Sequence, residues 1–272
     1  MSPFRLLFIA FFLASIPLAA QQISGIFRPT EAKMEYIEKV DWNSFTQQHR
    51  EFQQKGYRLT SVQSTGIGKD RRYWGILTES TLADTLALLN SWPEMVKAKR
   101  AMAARGWLLT TVQAYALGET DARYIAVWHR NPDDLPHKIW KLDTPESLDK
   151  KTEEMAQQQF YIQGIETFTT PSGVATYLAI YHYDPLPVRN YVATSTSQAD
   201  FNTNYNLRIR SKVRVTDLEF FQAKEARYWL AVYQPGTYDD RVILNLPQAD
   251  FYGKWDELEQ ANFQLINWEI RD

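Results

Sequence analysis

The sequence predicts an α+β repeat protein in which five units of about 50 residues form a closed ring. Three observations lead to this prediction. The segment GYRLTSVQSTGIGKDRRYWGIL, residues 56–77, recurs fifty residues later as GWLLTTVQAYALGETDARYIAVW. The closing element of that segment occurs four times, as RYWGIL, RYIAVW, TYLAIY and YWLAVY. The chain ends on a half-repeat, NFQLINWEIRD, and a strand resembling the missing half, ISGIFRP, lies at residues 23–29.

The first twenty residues have the layout of a secretory signal peptide. Arg5 precedes an apolar run at 6–18, and two alanines follow it. A transmembrane helix is the competing interpretation, but the run has about thirteen residues where about twenty are needed to cross a bilayer. We therefore expect a signal peptide over residues 1–20, a single repeat domain of five units over residues 21–272, and a secreted or periplasmic protein without a membrane span after cleavage.

The composition excludes several functional classes. The chain contains no cysteine, so disulfides, thiol nucleophiles and cysteine-bound metals are ruled out. The formal net charge is -2, and acidic and basic residues are interspersed along the chain. Nucleic acid and anionic membrane surfaces are therefore poor candidate partners.

Each unit is predicted to contain three short strands. The apolar–polar alternation of YRLTSVQS predicts the first strand, the turn-rich GIGKD predicts a hairpin, and RYWGIL predicts the second strand. A third short strand follows in TLALLN, KIWKL, NYVATS and RVILNL, and EYIEKV is its weakest copy. Alternation indicates that one face of the first strand is buried.

A helix on the outside of each unit follows from a three- and four-residue apolar spacing. This spacing is clearest in two segments: Trp42, Phe45, His49 and Phe52, and then Trp92, Met95, Ala98 and Met102. Pro93 and Pro145 mark two helix starts, and Gly56 and Gly106 mark two helix ends. The predicted order within a unit is helix, strand, strand, strand.

Closure of the ring is predicted from the N-terminal strand. The second strand of each of the four repeats has a small residue at the same position, and the N-terminal segment supplies a fifth copy of that strand. The small residues are Gly25, Gly75, Ala126, Ala179 and Ala231. We expect this strand to complete the last unit, which closes a propeller-like ring and removes its exposed edges, with the small residues close to the axis. An open solenoid is the alternative, but it needs polar end caps and the first strand is apolar.

The repeat pattern G-[YW]-x-L-x-x-V-Q followed by R-Y-x-[GA]-[IV] resembles the bacterial tandem repeat domain, a family of secreted repeat modules. The resemblance is clear at 56–77 and 106–128 and looser in the other copies. It implies a module similar to the N-terminal companion of fungal polyglycine hydrolases, without their serine β-lactamase-like catalytic domain. The five-fold arrangement is also similar to pentein-type α/β propellers, whose enzymes mostly use a cysteine that this chain lacks.

Other candidate catalytic or metal-binding residues are few. Ser147 and Lys150 spell S-x-x-K, but the motif lies in a predicted outer helix and no K-T-G follows. In the segment NPDDLPHK, His137 could bind a cation with Asp133 and Asp134, although such loops are usually solvated turns. We expect no catalytic residue, no metal and no cofactor.

One polar position recurs after the apolar residue of each first strand and supplies the candidate ligand-binding residues: Gln63, Gln113, Glu166, Arg214 and Glu269. The fourth alignment requires a one-residue bulge. The simplest interpretation is that alternation places a polar residue on the wet face of each strand. The functional interpretation is that equivalent positions in a ring form a circle and line a shallow axial pocket.

These features predict a binding or adaptor module without catalytic machinery, which recognises a peptide-like or glycan polymer or an envelope partner. Two alternatives stay open. A carboxylate pair such as Glu166 and Glu269 could divide acid and base work in a hydrolase, provided that a short distance separates them. The outer helices could instead assemble copies of the chain into an envelope structure.

Overall fold

The computed structural model describes residues 21–186, 190–223 and 226–271, so the predicted signal peptide lies outside the described residues. The strands are β1 (Gln22–Pro29), β2 (Met34–Val40), β3 (Tyr57–Thr65), β4 (Arg72–Glu79), β5 (Asp84–Leu89), β6 (Trp107–Ala116), β7 (Ala122–Arg130), β8 (His137–Leu142), β9 (Phe160–Thr169), β10 (Ala175–Tyr183), β11 (Tyr191–Ser195), β12 (Val213–Ala223), β13 (Ala226–Pro235), β14 (Arg241–Pro247) and β15 (Phe263–Arg271). The α-helices are α1 (Trp42–Gln54), α2 (Trp92–Ala103), α3 (Pro145–Gln157), α4 (Gln198–Arg210) and α5 (Gln248–Gln260). None of these helices has the length and apolar character that a bilayer crossing requires.

The described strands form five antiparallel sheets of three strands each, and the predicted repeat of sheets and helices is confirmed. We number the units 1 to 5 by their strand orders, which are β2-β4-β3, β5-β7-β6, β8-β10-β9, β11-β13-β12 and β14-β1-β15. The N-terminal strand β1 is the middle strand of unit 5 and pairs with both β14 and β15. Gly25 lies opposite Trp268 there, as Gly75 lies opposite Val62 in unit 1. The prediction that the N-terminal strand completes the last unit is therefore confirmed.

The order of elements within a unit differs from the prediction. β5 follows β4 in the chain but pairs with β7, in the next sheet. β2, β8 and β11 also pair with the middle strand that comes after their helix, and β14 pairs with the N-terminal strand β1. The unit is therefore strand, helix, strand, strand. Alternation of apolar and polar residues identifies a strand but not its partner, which depends on where the connecting loop carries the chain.

Local sequence signals set the ends of the helices as expected. Pro93 and Pro145 lie in the first turns of α2 and α3. Four helices begin at a side chain that accepts a hydrogen bond from a first-turn N–H group: Asp41, Ser91, Thr144 and Ser197. Gly56 and Gly106 follow α1 and α2 with φ of 87° and 73°, a left-handed conformation that glycine adopts without a Cβ clash.

Each helix packs on one face of its own sheet, and the small residues of the middle strands lie on that face. A Cβ atom on Gly75 would lie 2.8 Å from Leu59 Cδ1 and 3.1 Å from the ring of Phe45 in α1. Gly25 stands in the same relation to Leu265 and to α5. The small residues make room for the helix, so the expectation that they crowd near an axis is wrong.

The opposite face of each middle strand packs on the neighbouring unit. Leu178 and Ile180 of unit 3 belong to the core cluster of unit 2. Trp74 and Ile76 of unit 1 belong in the same way to the core cluster of unit 5, which contains Phe251 of α5. Every sheet is thus covered on both faces, which explains why the middle strands read as nearly continuous apolar runs.

Candidate functional site

Four of the five predicted site residues occupy equivalent positions in the structure. Each of the four lies directly after the residue that faces the small residue of the middle strand. They are Gln63 in β3, Gln113 in β6, Glu166 in β9 and Glu269 in β15. All four side chains are buried, with at most 8% of the residue surface exposed. These residues are therefore not on a wet outer face, as the simpler interpretation of the alternation assumed.

Arg214, the fifth predicted residue, does not belong to this set. In unit 4 the residue opposite the small residue of the middle strand is Leu218, so Glu219 holds the equivalent position. The guanidinium of Arg214 instead donates a hydrogen bond to the carbonyl oxygen of Tyr238 at 2.5 Å and lies 3.7 Å from Asp240. We call the corrected set the inner polar layer; its members are Gln63, Gln113, Glu166, Glu219 and Glu269.

The register error has a physical cause. Val213 was aligned with the apolar residue of the other units, but it is the first residue of the eleven-residue strand β12, and the residue that lies opposite Ala231 is Leu218, five positions later. The sequence contained a signal for the correct residue. Glu219 follows Glu166 by 53 residues, the same interval that separates Glu166 from Gln113.

Side chains of the inner polar layer bond to the backbone of the preceding unit. Oε1 of Glu166 accepts hydrogen bonds from the N–H of Ala114 at 2.9 Å and from Nε2 of Gln113 at 3.0 Å. Oε2 of Glu219 accepts hydrogen bonds from the N–H of Thr167 at 3.0 Å and from its hydroxyl at 3.2 Å. The layer thus joins neighbouring sheets through charged or polar acceptors, which are stronger partners than neutral carbonyls.

A further carboxyl group, that of Asp217, adjoins the layer. Its Oδ2 accepts a hydrogen bond from the N–H of Ile165 at 2.6 Å, and its Oδ1 accepts one from Nδ2 of Asn267 at 2.7 Å. Asp217 lies two residues before Glu219 and therefore on the same side of β12, and sequence reasoning missed both because it took Val213 as the register mark of that strand. Four carboxyl groups therefore converge here.

Burial raises the pKa of each of these carboxyl groups. Loss of hydration raises the pKa of Glu166 and of Glu219 well above the usual 4.5, and repulsion from neighbouring carboxylates adds to the effect. Burial also raises the pKa of Glu269 to about 8, although the charge of Arg271 opposes it, and raises that of Asp217 to about 6. Part of the cluster is consequently protonated at neutral pH.

Two cavities adjoin the inner polar layer, one toward each end of the first strands. The inner cavity, of about 120 Å³, is lined by the bulge residues Thr60 and Thr110 and by their equivalents in other units. The mouth cavity, of about 440 Å³, lies toward the hairpin tips and includes Ile67. Gln63 and Glu166 line both cavities. Side chains from several units therefore meet at one polar, concave place.

Two histidines that sequence analysis left unassigned hold neighbouring units together. Nε2 of His129 lies 2.7 Å from the carbonyl oxygen of Leu59, and Nε2 of His182 lies 2.7 Å from that of Leu109. Both carbonyls belong to a β-bulge of the preceding unit. A carbonyl oxygen only accepts, so Nε2 carries the proton, and burial lowers the pKa of His129 to about 4, which keeps the ring neutral.

The other two histidines are also buried. Nε2 of His49 lies 2.7 Å from Oδ2 of Asp84. His137 is the first residue of β8, not a loop residue as expected, and its ring packs edge-to-face on His182. Within the described ranges, no group of three or more histidine, aspartate or glutamate side chains could hold a metal ion.

Ser147 of the S-x-x-K motif lies in the first turn of α3 and caps that helix. Its N–H donates a hydrogen bond to Oγ1 of Thr144 at 3.1 Å, and its hydroxyl oxygen accepts one from the N–H of Thr144 at 3.1 Å. This reciprocal pair is a capping box. The local structure accounts for Ser147 without catalysis.

Comparison with known families agrees with this architecture. Residues 34–79 and 97–131 each match the family model described as polyglycine hydrolase-like, structural repeat. The first match spans β2 to β4, which is one complete strand, helix, strand, strand unit. No curated protein matches the chain. The resemblance seen in the sequence is confirmed for residues of units 1 and 2, which match the polyglycine hydrolase-like structural repeat.

Proposed function

We propose that the chain is a secreted, non-catalytic binding module that holds a peptide-like or glycan polymer, outside the cytoplasm, at the inner polar layer. The matched family is a structural repeat, which is consistent with a structural or binding role. The apolar N-terminal segment at 6–18 supports export.

The proposal rests mainly on the convergence of side chains from several units at one concave place. Gln63, Gln113, Glu166 and Glu269 line the mouth cavity together. Equivalent positions in successive repeats build a site that no single unit could form. Pockets with a few convergent polar groups are the usual places where proteins bind ligands. In this proposal Glu219 takes the place that the sequence had assigned to Arg214.

We also infer that the five units close into a ring. Contacts between the first and last units support closure. Trp74 of unit 1 shares a core cluster with Phe251 of unit 5, and the hydroxyl of Tyr252 in α5 donates a hydrogen bond to Oε2 of Glu38 in β2 at 3.2 Å. An open array would leave these apolar faces in solvent.

Closure is tested by crosslinking, which the cysteine-free chain makes simple. The double variant Glu38→Cys/Tyr252→Cys should form an intramolecular crosslink with a short bis-maleimide reagent in dilute solution. The pair Glu38→Cys/Thr203→Cys, which joins unit 1 to the exposed face of α4, is the matched control and should not react. Failure of the first pair would contradict the ring.

Binding is tested by thermal unfolding of the purified protein with glycine-rich peptides, peptidoglycan fragments and oligosaccharides. A ligand at one hundred times its Kd adds about 2.7 kcal/mol to the free energy of unfolding. The stabilisation should be reduced in Glu166→Gln and retained in Glu153→Gln, which alters an exposed carboxyl of α3.

Three other results would exclude the proposal. Stabilisation by none of these compounds would remove the basis for a binding site. Turnover of a compound that Glu166→Gln abolishes would indicate a carboxylate-dependent hydrolase. Sedimentation that depends on protein concentration, without ligand stabilisation, would indicate a self-assembling structural protein.

A further inference from the structure

A groove of about 400 Å³ lies between α1 of unit 1 and β5, an end strand of the sheet of unit 2. Trp42, Thr46 and Arg50 line it from the helix, and the four consecutive residues 85–88 line it from the strand. None of these residues lines the inner cavity or the mouth cavity. The groove is therefore a site apart from the inner polar layer.

The edge of β5 that faces the groove has backbone groups without a strand partner. Along a strand, the N–H and C=O groups of successive residues point to opposite edges. The carbonyl oxygen of Ala83 accepts a hydrogen bond from a backbone N–H of β7, whereas that of Asp84 accepts one from Nε2 of Gln53 in α1 at 2.8 Å. Leu86 and Leu88 thus direct their N–H and C=O groups toward α1, where no described residue bonds to them.

The β5 edge lacks the features that prevent pairing at other end strands. Such features include charged residues, bulges and short length. Among the described strands, β2 and β14 have irregular registers, β8 carries Lys138 and Lys141, and β11 has five residues, with Arg208 over its Tyr191. The six residues of β5 pair with β7 in unbroken register and contain no proline and no charge apart from the buried Asp84. The edge of β5 is therefore suited to the addition of a strand.

The helical wall of the groove carries an exposed cation. Arg50 is exposed, and no described residue forms an ion pair or a hydrogen bond with it. The polar groups of His49 and Gln53 are already bound to Asp84. Arg50 and Trp42 lie eight residues apart in α1, about 12 Å along the helix axis. Because this distance corresponds to about four residues of extended chain, a strand in the groove could place an acidic residue at Arg50 and an apolar one, four positions away, at Trp42.

We propose that this groove binds an extended acidic peptide segment of a partner protein, which adds to the sheet of unit 2 as a fourth strand beside β5. Its backbone exchanges hydrogen bonds with Leu86 and Leu88, a carboxylate meets Arg50, and an apolar side chain packs on Trp42. Main-chain bonds supply affinity and the side-chain contacts supply selectivity in this mode of recognition. A second copy of this chain is a poorer occupant, because its β5 has no exposed acidic side chain for Arg50.

The first test measures binding of two fluorescein-labelled peptides to the full protein by fluorescence anisotropy. Their sequences are Glu-Thr-Val-Thr-Leu and the reverse, Leu-Thr-Val-Thr-Glu, each as an amide with a Gly-Gly spacer after the label, so that parallel and antiparallel addition are both covered. We expect at least one to bind. Arg50→Gln should weaken its binding by about two- to fivefold, the usual value of an exposed charge pair. Arg100→Gln is the matched control, because Arg100 is also exposed and lies fifty residues later in α2, and it should bind as the wild type does.

A glutamine in place of the glutamate of the peptide separates the charge pair from general effects. This change should weaken binding to the wild type by the same factor as Arg50→Gln. It should have no effect on binding to Arg50→Gln, since the partner of the carboxylate is then absent. Equal weakening of both proteins would overturn the assignment of Arg50.

Backbone methylation tests strand addition itself. One form of the binding peptide carries N-methyl groups at both threonines, and the other carries them at the valine and the last residue. Because N–H groups alternate between the two edges of a strand, the methyl groups of one form point at β5 and those of the other point away. One form should lose binding at least tenfold and the other should stay within threefold.

The remaining outcomes contradict the proposal. Binding of neither peptide would overturn it, and so would equal tolerance or equal loss in the two methylated forms. A dimer in sedimentation that the peptides do not dissociate would indicate that a second copy occupies the β5 edge. None of these results bears on the inner polar layer, whose ligands are tested with different probes and with Glu166→Gln.

Discussion

Replacement of Glu269 by glutamine should stabilise the folded protein at alkaline pH. The pKa of this carboxyl rises from the usual 4.5 to about 8 because it is buried, so ionising it costs free energy in the folded state. A group with a raised folded-state pKa contributes stability that is fully present below the unfolded pKa and is lost as pH rises through the folded pKa. The difference of about 3.5 between the two values, at about 1.4 kcal/mol per pH unit, gives a loss of about 5 kcal/mol by pH 9.

The assay is urea unfolding of wild type and variant at pH 5 and pH 9. The wild type should lose stability across this range, and Glu269→Gln should lose about 4 kcal/mol less because its amide cannot ionise. Near pH 4.5 the two proteins should differ little. Glu153→Gln serves as control and should follow the wild type. If wild type and Glu269→Gln lost stability in parallel, the buried protonated carboxyl would be refuted.

Three further substitutions test the packing between and within units. His129→Ala removes the donor to the bulge carbonyl of Leu59 and should lower the unfolding free energy by about 2 kcal/mol, whereas His129→Gln should restore most of it. Denaturant titration checks both variants. An unchanged unfolding free energy in His129→Ala would contradict this role. Gly75→Val places atoms against Phe45 and should cost about 1–3 kcal/mol in the same titration; full stability would mean that the helix does not pack there. Thr144→Ala removes a capping box and should lower the unfolding free energy by about 1 kcal/mol, which a lower denaturant midpoint would show. An unchanged midpoint would show that the cap contributes nothing.

The family repeat and its elements were predictable because their signals are local. Each of these signals acts within a few residues. Gly56 predicted a helix end, Pro93 predicted a helix start, and the apolar–polar alternation predicted the first strands. The C-terminal half-repeat in β15 pairs with the segment around Gly25, as its resemblance to the first strands predicted.

The members of the inner polar layer were predicted in part. Gln63, Gln113, Glu166 and Glu269 were found because repeats preserve register, but Arg214 was placed in the set and Glu219 was missed. Val213–Arg214 and Leu218–Glu219 both have an apolar residue followed by a charged one, and only the pairing of β12 with β13 shows which of them lies opposite Ala231.

The sequence by itself determined the repeat, the elements of each unit and the strand that completes unit 5, because these follow from short-range patterns and from one unpaired half. The tertiary structure alone decided which sheet each short strand joins, which face the small residues occupy, and that Asp217 meets Glu166, Glu219 and Glu269. Those outcomes depend on contacts between residues about fifty positions apart. Burial in that setting, and not residue type, is what raises the pKa of Glu269.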